Sequence, residues 1–182
     1  VRSGLDVRPP NSELKNILVM LSGSMFGSPT EFLNRLTLPE EIKVDVVGRD
    51  GESSDQIVFH GKDFSNKPLV NKADMMVVNG GFSAVSEAVV LRKPVVVIPV
   101  ENHAEQFING LVVETAGLGF VATMENAETK ILQLIEKFPE IVENHKQFDC
   151  ESNGSDAAAQ IIDTLVLERN SQTQIMQDQV GS

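Results

Sequence analysis

Short apolar runs recur along this chain, and intervals compatible with helix or turn separate them. The runs are NILVML at 16–21, IKVDVV at 42–47, IVF at 57–59, DMMVV at 74–78, VVVIPV at 95–100 and GFVA at 119–122. They are too short for buried helices. Most lack the strict polar alternation of a strand that is wet on one side. They therefore predict strands buried on both faces. Strands that alternate with helices predict βαβ units, right-handed crossovers and a parallel sheet covered on both sides. The expected fold class is α/β: a Rossmann-like, doubly wound, mostly parallel six-stranded sheet.

Helix signals fill the intervals. Ser28, Pro29 and Glu31 read as the cap and first turn of a helix. Residues 66–72 predict a short helix broken by Pro68. Residues 82–92 predict a helix with Ala84, Val85, Ala88, Val89 and Val90 facing inward. Residues 104–116 predict another, closed by Gly117. A helix over 126–138 is expected to resume at 141–148 after Pro139. Residues 152–155 would cap a last helix over 156–168. Residues 1–15, with Pro9-Pro10, read as an interdomain linker remnant, 16–168 as one domain, and 169–182 as a flexible tail.

Composition narrows the function. The 182 residues suit one domain, and a net charge of −11 lacks the Lys/Arg excess that phosphate neutralisation needs. No nucleic acid is therefore expected as a partner. The single cysteine, Cys150, excludes a disulfide framework and a cysteine zinc cage, and reads as a spare thiol. No apolar run approaches the roughly 18–20 residues of a membrane span, and no signal-peptide pattern is present. A cytoplasmic protein is expected, with peripheral membrane attachment of the full-length protein left open. The start Val-Arg-Ser-Gly, without Met, reads as a piece of something longer.

Residues 79–109 carry the densest chemistry. Gly80 and Gly81 lie where a strand should hand over to a helix. Such a turn lets backbone approach a ligand, and a helix N-terminus favours a diphosphate. Ser83 and Glu87 are spaced to share one side of that helix, so a phosphate donor and a diol acceptor would lie one turn apart. Glu105, Gln106 and Asn109 follow the next strand and could read sugar hydroxyls. Ser24 sits in the polar turn after the first strand, and Phe64 could pack on a base. Each has an ordinary alternative as turn, cap, helix surface or core. His60, His103 and His145 lack metal-ligand spacing, and no metal is expected. The dinucleotide, P-loop and nucleophile-elbow signatures are missing.

The segment NGGFSAVSEAVVLRKPVVVIPVENHAEQFINGLVVETAGLGFV resembles the C-terminal, donor-binding domain of GT-B glycosyltransferases. The likeness is closest to the branch of the peptidoglycan-precursor N-acetylglucosaminyltransferase and the UDP-glycosyltransferases. It implies that Glu87 holds the ribose diol. Gly80, Gly81, Ser83 and Ala84 would bind the diphosphate, with Ser24 facing the phosphates. Phe64 and Ser65 would flank the base, and Glu105, Gln106 and Asn109 would read the donor sugar. The substrate would be a nucleotide-diphosphate sugar, UDP-linked, with no metal or cofactor required. The general base would come from an absent N-terminal acceptor-binding half. Alternatives are a nucleotide-sugar hydrolase or epimerase, or a non-catalytic subunit of a split glycosyltransferase. Asn79 departs from the His or Arg of many members, and Lys93 from the Gly before Pro94.

Overall fold

A computed structural model describes residues 9–21, 31–61, 66–148 and 159–165. The chain divides into two compact units, Val1–Asp149 and Cys150–Ser182. In the second, residues 159–165 are helical and exposed, Ile161, Ile162 and Leu165 included. The first unit holds the sheet.

Six strands form that sheet: β1 (Asn16–Met20), β2 (Lys43–Val47), β3 (Ile57–Phe59), β4 (Met75–Val78), β5 (Val95–Val97) and β6 (Gly119–Val121). Their order is β3-β2-β1-β4-β5-β6. Every pairing is parallel, so the sheet is wholly rather than mostly parallel. Five α-helices follow in the same unit: α1 (Lys67–Lys72), α2 (Phe82–Val90), α3 (Ala104–Thr115), α4 (Ala127–Glu136) and α5 (Phe138–Gln147).

The period of two in each strand sorts side chains to opposite faces. Ile17, Val19, Met75, Val77, Val96 and Ile98 face a core completed by α4 and α5. Leu18, Met76, Val78, Val95 and Val97 face a second core completed by α1, α2 and α3. Each fully buried Val, Leu or Ile contributes about 1.5–3 kcal/mol relative to exposure. Both faces are thus closed by apolar burial, and strand ends are left to build a site.

Several local expectations change. Pro68 does not break α1 but sits in its first turn, where its missing N–H costs nothing. Pro139 likewise opens α5 instead of interrupting a longer helix. Residues 28–30 of the expected first helix lie outside the described residues. Glu31–Asn34 is a single 3-10 turn that buries Phe32 and Leu33. Helix α2 ends in a Schellman motif: Arg92 (φ 55°) donates to the Val89 carbonyl and Lys93 to that of Ala88. Helix α3 ends the same way, with Gly117 (φ 69°) donating to Glu114 and Leu118 to Val113.

Polar clamps tie the layers. Asp74, buried, accepts from the backbone N–H of Lys15 (2.9 Å) and Asn16 (2.8 Å) and from the Asn11 amide. Asp45, also buried, meets His60 at 2.7 Å and Lys72 at 3.0 Å. At the end of α5, Asn144 Nδ2 donates to the Gly117 carbonyl (2.9 Å), and His145 Nε2–H donates to that of Leu118 (3.0 Å). His145 is 1% exposed, and its Nδ1 has no hydrogen-bond partner among the described residues.

Burial pushes the His145 imidazole from the usual 6.5 down to about 4. The unfolded chain therefore takes up a proton below about pH 6.5, while the native state resists until about pH 4. Stability should fall across that window, by on the order of 3 kcal/mol in full. Urea denaturation at stepped pH checks this. His145→Gln should flatten the slope between those values, and an unchanged slope would assign the acid sensitivity elsewhere.

Candidate functional site

The strand order reverses between β1 and β4, which pair in register from Ile17↔Met75 to Met20↔Val78. In a doubly wound sheet the crevice lies outside the carboxyl ends of those two strands. Beyond β4 the chain runs Asn79-Gly80-Gly81 into α2. Gly80 has φ 88°, a backbone conformation that strains any side chain. A Cβ there would lie 2.6 Å from Val97 Cγ1 and 2.7 Å from the Gln106 carbonyl oxygen. Gly80 is thus required by the fold, because it lets the turn press directly on the backbone of α3.

Three side chains lock that contact. Asn109 Nδ2 donates to the Gly80 carbonyl at 2.9 Å. Asn79 Nδ2 donates to the Ile98 carbonyl at 3.2 Å, and its Oδ1 is buried without a partner among the described residues. Gln106 Oε1 accepts from the Val100 N–H at 2.8 Å. Residues 79–109 therefore behave as one unit in which two strand-to-helix turns are bolted together. The structure gives Asn109 and Gln106 positioning contacts that spacing alone did not suggest. Lys93 is held by the Ala73 carbonyl.

Gly81 differs from Gly80. Its φ is −58°, it is the N-cap of α2, and among the described residues a Cβ there would meet nothing within 4 Å and no side chain caps the helix. The first N–H groups of α2 have no intrahelical acceptor and carry the positive pole of the helix. Ser83 is exposed on the first turn, Ala84 is half-buried, and Phe82 stands 70% exposed beside them. Ser86 Oγ donates to the Ser83 carbonyl at 3.1 Å. Glu87, one turn deeper, is 6% exposed and already has a polar partner.

Gly80 and Gly81 thus follow β4 directly, Ser83, Ala84 and Glu87 lie on the first two turns of α2, and Gln106 and Asn109 meet Gly80. Glu105 is exposed on the first turn of α3. Ser24, Phe64 and Ser65 lie outside the described residues. Among the described residues no cluster of His, Cys, Asp or Glu could hold a metal ion. No helix of the described residues is long and apolar enough to cross a membrane.

Other groups at this edge went unnoticed in the sequence. Arg49, after β2, donates from Nε to the Leu21 carbonyl (2.9 Å) at the end of β1. Its signal was a cation directly after the strand-ending Gly48. Phe82 broke the apolar spacing of α2. A cavity of about 750 Å³ opens beyond β5 and β6, between the turns that lead into α3 and α4. One wall is the tight turn Val100-Glu101-Asn102-His103, closed by His103 N–H to the Val100 carbonyl (3.1 Å) with Asn102 at φ 61°. The other is residues 123–126, held by Thr123 N–H to Asn126 Oδ1 at 2.8 Å. The Thr123 hydroxyl holds the Glu125 carboxyl below its ordinary range. Asn at the left-handed turn position was the legible sign of the first wall.

Known proteins resemble this chain in the same region. Residues 9–139 match the family described as Glycosyl transferase family 1. An uncharacterized glycosyltransferase of Methanopyrus kandleri is 36% identical over 70 residues, 38% of this chain and 20% of that protein. The calicheamicin glycosyltransferase CalG4 superposes with a TM-score of 0.62 at 21% identity, over 86% of this chain and 44% of its own. MurG of Acinetobacter baumannii gives 0.59 at 15% identity, over 85% and 51%. The two structures share the fold, and the chain spans only 20–51% of the length of these three relatives.

The two glycines give opposite expectations. Gly80→Ala should destabilise by about 2–4 kcal/mol, from left-handed strain plus overpacking on α3. Gly81→Ala should change stability by less than about 0.5 kcal/mol. Chemical denaturation of the two variants checks this, and equal losses would mean that the Gly80 contact does not hold the turn.

Proposed function

The chain belongs to glycosyl transferase family 1, and from that premise we propose that it binds the nucleotide-diphosphate sugar, UDP-linked, of a transfer to an acceptor hydroxyl or amine. One observation carries the reading: the N-terminus of α2 lies at the β1/β4 reversal with no side-chain cap, and at Gly81 a Cβ would meet no atom within 4 Å, both among the described residues. An uncapped helix pole attracts an anion by about 0.3–2 kcal/mol. The backbone N–H groups at Gly81 and Phe82 and the Ser83 hydroxyl would take the diphosphate oxygens. Glu87, one turn deeper, would accept both hydroxyls of the ribose.

In the transfer, the acceptor oxygen or nitrogen attacks the anomeric carbon. The bond to the diphosphate breaks and its electron pair leaves with the diphosphate. The helix pole offsets the charge that develops there, which is the role a metal plays elsewhere. The acceptor proton passes to a base supplied by the remainder of the full-length enzyme. Glu105, exposed at the start of α3, would meet the sugar hydroxyls, and Gln106 holds the turn beside it. Work in the cytoplasm fits this donor chemistry.

UDP should raise the melting temperature of the chain at millimolar concentration and shift the backbone amides from Gly80 to Glu87. Glu87→Ala should weaken UDP about tenfold, equal to about 1.4 kcal/mol, with Glu87→Gln as the variant that keeps side-chain volume. Gly81→Ala should weaken UDP while leaving the fold intact. If UDP, GDP and dTDP all leave both melting temperature and amides unmoved, the donor reading fails.

A further inference from the structure

The cavity beyond β5 and β6 belongs to none of the contacts assigned to the donor. Its floor and sides are apolar, from Val100, Phe107, Val121, Ala122 and Met124. Its lining carries two exposed carboxylates, Glu101 and Glu125, and among the described residues His103 is its only basic side chain. No Lys or Arg lines it among the described residues. An anion such as a phosphate would meet like charge there, so the cavity is chemically unlike the α2 pole. An apolar wall with a few polar groups at its mouth suits a ring or chain that bears a hydroxyl or an amine.

The cavity is also pre-formed and adjacent to the donor turn. Gln106 serves both places: its carbonyl touches Gly80, and its Oε1 holds the Val100 N–H at the cavity lip. The 123–126 wall is fixed by its own side-chain bond, so neither wall must order on binding. Both openings lie on the same carboxyl edge of the sheet.

We infer that this cavity receives the apolar part of a neutral or cationic acceptor, so that this half of the enzyme contributes to acceptor choice as well as to donor binding. The assignment rests on the donor reading above. A group seated in the cavity would sit directly beside the sugar residues, because Ala104 and Phe107 of its lining flank Glu105 and Gln106. Phe107 and Val121 would pack on its apolar body, and Glu101, Glu125 and His103 would face its polar end.

Three probes that share one apolar arm test this on the intact chain: 4-phenyl-1-butanol, 4-phenylbutylamine and 4-phenylbutyrate. The alcohol and amine should shift the amides of Val100, Phe107 and Val121, with dissociation constants of about 1–10 mM. The carboxylate should bind about fivefold more weakly, because it faces two carboxylates. Ala104→Trp places bulk in the opening from an exposed position. It should abolish the alcohol shifts, while the UDP shifts from Gly80 to Glu87 persist. Phe107→Ser, also at an exposed position, should weaken the alcohol and amine without moving the UDP shifts.

The outcomes separate the two readings. If UDP shifts its amides and neither alcohol nor amine shifts the cavity, the inference fails and the donor reading stands. Equal binding of the carboxylate would remove the charge argument and overturn the assignment. If UDP-glucose shifts the amides of Val121, Met124 and Glu125, on the cavity wall formed by the end of β6 and the turn after it and away from Glu105, where UDP does not, the cavity is a sugar subsite and the inference is wrong. If the apolar probes bind but no nucleotide does, the donor reading and the acceptor assignment fall together.

Discussion

The site depends on one close approach. The backbone of Gly80 lies against the Gln106 carbonyl, with Asn109 bonded back to the Gly80 oxygen at 2.9 Å. Only a residue without a side chain can stand there, since a Cβ would sit 2.6–2.7 Å from its neighbours. That contact sets where α2 begins relative to α3. It therefore sets where the helix pole at Gly81 and the first turn of α3 stand relative to each other. Gln106 extends the same bolt to Val100, so the lip of the neighbouring cavity is placed by the same few atoms.

The scaffold beneath is less particular. Alternating strand residues feed two apolar cores, one under α1, α2 and α3 and one under α4 and α5. Many volume-conserving changes would be absorbed there at modest cost. Charged groups that enter this interior are paired, as Asp45 is with His60 and Lys72, or are neutral, as His145 is. The polar clamps of Asp74, Asn144 and His145 fasten the chain at the amino ends of β1, β4 and β6, the opposite edge of the sheet from the glycine turn.

Much of this was legible in the residues. Short runs such as NILVML and DMMVV could only be strands buried on both faces, and their alternation with helices dictated a parallel sheet. The GG turn ahead of α2 was readable from its place after an apolar run, whereas the i+4 spacing of Ser83 and Glu87 did not show that the first is exposed and the second buried. The two prolines misled, since Pro68 and Pro139 open helices and do not break them. A proline tells where a helix lacks a donor, and the first turn lacks one in any case. The cavity walls were nearly silent, because their residues come from turns more than twenty positions apart.

Sequence by itself determined the fold class, the order of elements and the presence of a glycine turn ahead of an amphipathic helix. These follow from local periodicity and backbone sterics, which act over a few residues. Tertiary structure decided how the two glycines differ: Gly80 is spoken for by the packing of α3, and a Cβ at Gly81 would meet no atom of the described residues. It also decided that Asn109 and Gln106 hold backbone across 29 and 6 residues. It brought the loops after β5 and β6 together as two walls of one cavity. Such assignments depend on which strand lies beside which, and that is fixed only when the whole sheet closes its two cores.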